Sequence, residues 1–380
     1  HVMPAFLDAE VAMAVEKYAH EKGIEVRTQE TVQRFEGEGV VRSVVTDRGT
    51  LPADVVIMAV GVKPTTRLAQ EAGLALGVSG TIAVNEYMQT SDPDIYAGGD
   101  CVENTHIVTG KKAFVALGSI ANKHGRVIGE NICGARVKFR GILGTVVARL
   151  LDLNIGKTGL TEREAKEAGY EIVTTMTTGN DRAHYMPGSK PITLKLIADA
   201  RTRKVLGIQA FGEGEVAKRI DVLAGVLTFG GTIDDLFDID LSYSPPFNNP
   251  IDNAAVAANT LMNKIAGKFR GISPLEAKAK LASPKTVFLD VRATDECRAI
   301  RLAPCRNVTY IPLDQLHSRL AELGKEDEIV AFCRISTQGY EAECLLEGEG
   351  FKDVKVLEGG VVAWPFECET GETEKESPPK

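Results

Sequence analysis

The sequence predicts an α/β fold class, and three observations carry that prediction. Apolar residues at helical spacing alternate with short β-branched runs along the chain. Glycine and proline punctuate the ends of those runs, as at 61–64. The last part repeats a strand and helix alternation over roughly ninety residues, a normal size for an independent domain.

Taken in order, residues 8–22 place Val11, Ala14, Val15, Tyr18 and Ala19 on one helical face, with Asp8 as N-cap and Gly23 as stop. Residues 24–26 read as a short strand, and 40–45 and 55–60 as longer ones separated by a turn at 47–49. An extended stretch at 82–100 leads to a long helix at 116–134, with Ile120, Ala121, Val127, Ile128 and Ile132 as its buried side. Past Gly141 an α+β unit begins, with strands at 144–148, 170–175 and 192–198 and helices at 161–168 and 215–228. Residues 267–274 read as a linker. Beyond it come strands at 286–291, 328–332 and 354–356 and helices at 313–323 and 339–347. The segment 369–380 has no apolar anchor and reads as a disordered tail.

Composition narrows the function classes. With 380 residues, 44% hydrophobic and 25% charged, the chain suits two or three cored globular units. No apolar run approaches the about 20 residues of a membrane helix, so no membrane partner is expected. The net charge of −8 comes without a basic stripe, which argues against nucleic acid. Seven cysteines, an odd set with no CxxC pair, indicate neither a disulfide framework nor a metal site and fit a cytoplasmic location. The start at His1 reads as the continuation of an upstream segment, so an N-terminal truncation is expected.

Three stretches carry chemistry. The first, 90–100, reads Thr-Ser-Asp-Pro-Asp-Ile-Tyr-Ala-Gly-Gly-Asp. Gly98 and Gly99 permit close backbone approach by a ligand, and Asp100 can accept hydrogen bonds from its hydroxyls. The stretch resembles the second flavin motif of the two-dinucleotide flavoprotein disulfide reductases, which implies that Gly99 and Asp100 bind FAD, with Asp100 on the ribitol. Residues 116–126 resemble the helix that follows in that family, its N-terminus directed at the flavin. Asn122 falls where the coenzyme A branch has a substrate-contacting residue. The resemblance also implies two upstream GxGxxG turns, for FAD and for NADH or NADPH, and a redox cysteine; this sequence contains none of them. Residues 1–80 then correspond to the later part of a nicotinamide domain and 81–140 to the later part of an FAD domain. This polypeptide by itself is expected to bind FAD weakly or not at all.

The second stretch is a pair: His184-Tyr185-Met186-Pro187-Gly188 and Tyr243-Ser244-Pro245-Pro246-Phe247, the tyrosines 58 residues apart. They resemble the two tyrosines of coenzyme A disulfide reductases that reach flavin and substrate sulfur from the dimerisation domain of the neighbouring subunit. A phenol O–H can donate to a thiolate leaving group or supply its proton. Residues 217–223 resemble the same branch, whereas Asn248, Asn249, Pro250 and Ile251 depart from the Ser and basic residue often found after the Pro-Pro-aromatic step.

The third is Cys333, between a buried strand and a helix start, where the field of the helix N-terminus favours a thiolate. The loop Arg334-Ile335-Ser336-Thr337-Gln338 is long enough to curl its N–H groups around an anion, the setting a persulfide carrier requires. With Leu289-Asp290-Val291-Arg292, Leu357-Glu358-Gly359-Gly360 and Ala363-Trp364, residues 274–366 resemble a rhodanese domain. Arg334, Ser336 and Gln338 are the candidate substrate contacts. Gln338 stands where many such loops place an arginine, and Arg334 is the candidate substitute, so a persulfide is the expected donor rather than thiosulfate. Cys101 reads as packing, and Cys133, Cys297, Cys305, Cys344 and Cys368 have no supporting motif.

Together these resemblances imply a partial two-dinucleotide-binding flavoprotein fold, an α+β dimerisation domain at 141–266, the 267–274 linker and a rhodanese-like domain at 275–368. The implied function is FAD- and NAD(P)H-dependent reduction of coenzyme A disulfide or persulfide sulfur by a homodimer, with catalytic Cys333, Tyr185 and Tyr243. The rivals are an NADH oxidase or peroxidase of the same fold, and a sulfur carrier on an inactive dimerising platform.

Overall fold

The computed structural model describes residues 1–302 and 307–370. Cys305 and the tail positions 371–380 lie outside the described residues. The chain divides into two compact units, residues 1–22 with 143–380 and residues 23–142.

Helix α1 (Ala9–Glu21) forms where the apolar spacing predicts and buries Val11, Ala12, Val15 and Ala19. That face packs with Leu153, Ile155, Met176 and Phe211. Charge fixes it further: Lys195 Nζ lies 3.2 Å from Asp8, 3.1 Å from Glu10 and 2.6 Å from Glu162. Residues 1–22 therefore pack with the later compact unit.

The 23–142 unit carries the antiparallel strands β1 (Val32–Glu36), β2 (Ser43–Thr46) and β3 (Thr50–Pro52) in that order. The turn at 47–49 closes with Thr46 N–H donating to the Gly49 carbonyl at 2.8 Å. Neither 24–26 nor 55–60 is a strand. An extended segment needs neighbouring backbone to pair with, and no described segment pairs with 55–60, leaving Ile57 and Val60 each 87% exposed. Further along lie α2 (Arg67–Glu71), β4 (Asn104–Thr105), β5 (Lys112–Ala113) and the long helix α3 (Gly118–Ile132). The buried face of α3 is Ile120, His124, Val127 and Asn131, so the helix is rotated from the predicted face and Ile132 is exposed.

From residue 146 an antiparallel sheet is built from β6 (Val146–Leu150), β7 (Leu153–Gly159), β8 (Ile172–Asn180), β9 (Pro191–Asp199) and β10 (Val205–Gly212), in the order β6-β7-β10-β9-β8. Helix α4 (Glu162–Glu167) follows β7 and starts at a reciprocal Thr161–Glu164 capping box. Helices α5 (Val216–Thr228), α6 (Ile233–Asp238) and α7 (Asn253–Ile265) complete this part. Ile220 of α5 sits against Gly156, while Ile155 beside it packs with α1. Alternation along β7 thus puts α5 and α1 on opposite faces of the sheet.

The remaining elements are β11 (Gly271–Ile272), α8 (Pro274–Lys280), β12 (Thr286–Asp290), α9 (Thr294–Ala299), β13 (Ile300–Leu302), β14 (Val308–Tyr310), α10 (Leu313–Leu316), β15 (Glu328–Phe332), α11 (Thr337–Gly348), β16 (Asp353–Leu357) and β17 (Cys368–Thr370). Five of these strands form a parallel sheet in the order β11-β16-β15-β12-β14. One face buries Leu289, Ile329 and Ala331 with Ala342 and Leu346; the other buries Phe288, Val330 and Phe332 with Trp364. Burial on both faces explains the continuous apolar runs. Residues 267–274, read as a linker, contribute the edge strand β11 and the Ser273 N-cap of α8.

Candidate functional site

Cys333 ends β15 and is 1% exposed, packed among Leu289, Val291, Ile311 and Ala342. Residues 334–336 turn the chain into α11, with Ser336 at φ 85° and its Oγ donating to the Leu357 carbonyl at 3.0 Å. Among the described residues, the backbone amides of 334–339 have no acceptor. Three of them are the first-turn donors that a helix cannot satisfy internally. They give the loop a set of donors for an anion, strengthened by the helix dipole. Gly360, at φ 61°, lies directly on the loop: a Cβ there would stand 2.5 Å from the Arg334 carbonyl carbon. Arg334 is exposed and Gln338 half-buried.

At the carboxyl ends of β12, β14 and β15 lies a cavity of about 490 Å³, lined by Asp290, Cys297, Arg298, Arg301, Tyr310 and Phe332 among others. Such an edge is the usual ligand side of a parallel sheet. The buried fork from Arg292 to Asp290, with Nη2···Oδ2 2.7 Å and Nε···Oδ1 2.9 Å, stiffens it. Burial and Asp290 push the Cys297 thiol up, so it stays protonated. No sequence pattern marks Cys297, Arg298 or Arg301 as cavity residues.

Tyr185 and Tyr243 are 66% and 53% exposed, on loops joined by Ala183 N–H donating to the Pro245 carbonyl at 3.4 Å. Beneath them Arg219, fully buried, ties both loops together. It donates to the Asp181 carbonyl at 2.8 Å and Asn248 Oδ1 at 2.9 Å, and pairs with Asp252 at 2.9 Å. Asn249 adds a bond to the Asn180 carbonyl at 2.6 Å. The asparagines that depart from the family pattern thus hold the tyrosine loops. Arg219 stands inside the quoted 217–223 segment, yet a lone arginine on a helix reads as surface until its burial is known.

In the 23–142 unit, Gly99 adopts φ 87° and Asp100 is exposed, its carboxylate without a hydrogen-bond partner among the described residues. His124 pins this turn. Gly99 N–H donates to Nδ1 at 3.1 Å, so the proton sits on Nε2, 3.0 Å from Asn104 Oδ1. Burial holds the imidazole below its ordinary pKa, with Asp100 opposing. An open carboxylate beside a left-handed glycine fits the hydroxyl-bearing part of a flavin nucleotide. The N-terminus of α3 has no side-chain cap and leaves amides for the same group. Asn122 is exposed and its Nδ2 donates to the Gly118 carbonyl.

Known proteins share this layout. Residues 1–125 match the family model of the pyridine nucleotide-disulphide oxidoreductases, 145–255 the dimerisation domain of that family, and 273–366 the rhodanese-like domain. The chain is 44% identical over 254 residues to a CoA-dependent NAD(P)H sulfur oxidoreductase of Pyrococcus abyssi, covering 67% of this chain and 56% of that protein. A NAD-dependent persulfide reductase from A. fulgidus superposes with TM-score 0.89 at 43% identity, over 96% of this chain and 65% of that one. Reduced Bacillus anthracis CoADR-RHD superposes with TM-score 0.86 at 33% identity, over 96% and 64%. The chain therefore spans rather over half the length of these relatives. It belongs to the pyridine nucleotide-disulphide oxidoreductases and carries a rhodanese-like domain at its C-terminal side.

Proposed function

We propose that this chain is the sulfur-handling portion of an FAD- and NAD(P)H-dependent reductase of disulfide or persulfide sulfur, of the coenzyme A type, with Cys333 as persulfide carrier. The observation that carries the reading is Cys333 at the head of a loop of unsatisfied amides, against α11. The Cys333 thiolate attacks the sulfane sulfur of a donor persulfide; the donor S–S bond breaks, its thiolate leaves, and the new Cys333 persulfide anion is held by the 334–339 amides. Arg334, Ser336 and Gln338 border the donor. A reducing compartment such as the cytoplasm suits that thiol, and no helix among the described residues is long and apolar enough to cross a membrane.

FAD, when bound, supplies electron transfer from NADH or NADPH to sulfur. Gly99 and Asp100 would hold its ribityl portion, and Tyr243 of a second copy of the chain would reach its exposed edge. From that second copy Tyr185 and Tyr243 would donate hydrogen bonds to the sulfur leaving group, and Asn122 would contact the substrate. Tyr185, Tyr243, Phe247 and Ile251 form an exposed apolar face on the segment of dimerisation type, which suits a second copy of the chain. An oxidase reading leaves Cys333 without a task.

The test is mass spectrometry of the Cys333 peptide after exposure to a small-molecule persulfide. One added sulfur is expected in wild type and none at that position in Cys333→Ser; equal addition elsewhere with none at Cys333 would end the carrier reading. Light scattering at working concentration should show a dimer.

A further inference from the structure

The stretch Leu357-Glu358-Gly359-Gly360 marks the rhodanese-like part in sequence, yet none of its side chains enters the sulfur chemistry. Its surroundings give it a different task. Glu358 is 1% exposed and reaches out of its own domain: Lys264 Nζ at the end of α7 donates to Oε1 at 2.6 Å, and Met176 N–H of β8 donates to Oε2 at 2.9 Å. Lys264 also donates to the Thr174 carbonyl at 2.9 Å. A Cβ on Gly359 would lie 3.3 Å from Thr178 Oγ1, so the backbone presses on β8 too. Four residues later Ala363 joins the apolar cluster of α1 and the antiparallel sheet, and Lys17 of α1 donates to the Trp364 carbonyl at 3.0 Å.

The same segment straps the sulfur loop. Leu357 C=O receives the Ser336 hydroxyl, Val361 N–H donates to the Cys333 carbonyl at 3.0 Å, and Val362 N–H donates to the Arg334 carbonyl at 3.1 Å. Residues 357–362 are thus bonded on one side to the loop that carries Cys333 and on the other to the dimerisation sheet.

We propose that Glu358 is a positioning residue: through Lys264 and Met176 it bolts the 357–362 strap to the dimerisation domain and thereby holds the Cys333 loop in its anion-binding form. The sulfur carrier works docked, not on a free tether. This deepens the carrier reading and rests on it for the chemistry, while the docking itself is independent of sulfur. Burial drives the Glu358 carboxyl up and Lys264 opposes this, so loss of Lys264 leaves a buried carboxyl with only one donor.

The experiment measures iodoacetamide alkylation of Cys333 by peptide mapping, the rate of persulfide formation at Cys333, and amide exchange over 357–362, in wild type and four variants. A buried thiol reacts in proportion to the open population. In Glu358→Ala and Lys264→Met, alkylation of Cys333 should rise at least about tenfold and persulfide formation should fall, given the cost of breaking a buried pair. The exposed Cys133 should alkylate at the wild-type rate and serves as internal control. Glu358→Gln keeps an acceptor for Met176 N–H and should recover most of both. Gly360→Ala, which drives a methyl into Arg334, should mimic the loss from the loop side. Should Glu358→Ala fail to fold, Lys264→Met, at the half-buried end of the pair, decides. Wild-type alkylation and exchange in Lys264→Met would overturn the proposal. If wild type takes up no sulfur at Cys333 but alkylation responds as stated, the docking stands and the carrier reading falls.

Discussion

The parallel sheet of the C-terminal domain and the 23–142 unit contrast sharply in what supports their apolar runs. In the parallel sheet, β15 pairs with β12 on one side and β16 on the other, and alternate residues enter separate cores on each face. At 55–62 an equally apolar run, Val-Val-Ile-Met-Ala-Val-Gly-Val, has no strand beside it among the described residues and lies exposed. The two runs look alike as sequence. Hydrophobicity makes a strand only where a neighbouring backbone takes up its N–H and C=O groups.

The contrast breaks most easily by truncation. Leu289→Ala, at a fully buried β12 position, should cost about 2–5 kcal/mol in urea unfolding, whereas Ile57→Ala should stay within about 0.5 kcal/mol. Equal losses at the two sites would mean that 55–62 is packed in solution.

A smaller effect comes from α11. Glu343 is buried, its Oε1 accepting Arg270 N–H of the segment leading into β11 at 2.7 Å, while its Oε2 has no hydrogen-bond partner among the described residues. Burial, with Glu347 adding to it, pushes its carboxyl up to about 7. The folded state therefore holds this proton more tightly than the unfolded chain. Its stabilising effect is complete below pH 4.5 and fades as pH rises through about 7, a loss of about 3 kcal/mol. Glu343→Gln should remove that decline and exceed wild type in stability at pH 8. An unchanged slope would assign it elsewhere.

Legibility followed the range of the forces. Segments set by local pattern were readable: β15, the helix after Cys333, α5 and α1 all sit close to where spacing places them. Strands β7 and β10 escaped because Gly156, Gly159, Gly207 and Gly212 interrupt their β-branched pattern, and those glycines are there for close packing against neighbours. Helix α7 escaped because its buried residues are mostly alanines, a weak apolar signal. The residues that organise the sites were the least visible. Arg219, Lys264 and Glu358 look like surface charges in a sequence, and only the burial of Arg219 and Glu358 and the bonds all three make to groups tens of residues away show that they hold loops and domains.

His124 gives the finest test, in the unit with the weaker core. From α3 it supports the glycine turn by accepting the Gly99 N–H. Protonation would put an N–H at Nδ1, facing the Gly99 N–H it now accepts, so the folded state favours the neutral ring. With the folded pKa below the ordinary 6.5, this contribution is complete above pH 6.5 and is lost as pH falls through the folded value. One neutral hydrogen bond of this kind is worth about 1 kcal/mol. Histidine resonances should place the His124 midpoint under 6.5, with faster exchange of the Gly99 amide in the same pH range. A midpoint at or above 6.5, or a Gly99 amide indifferent to pH, would show that the turn is held by its own backbone and not by the imidazole.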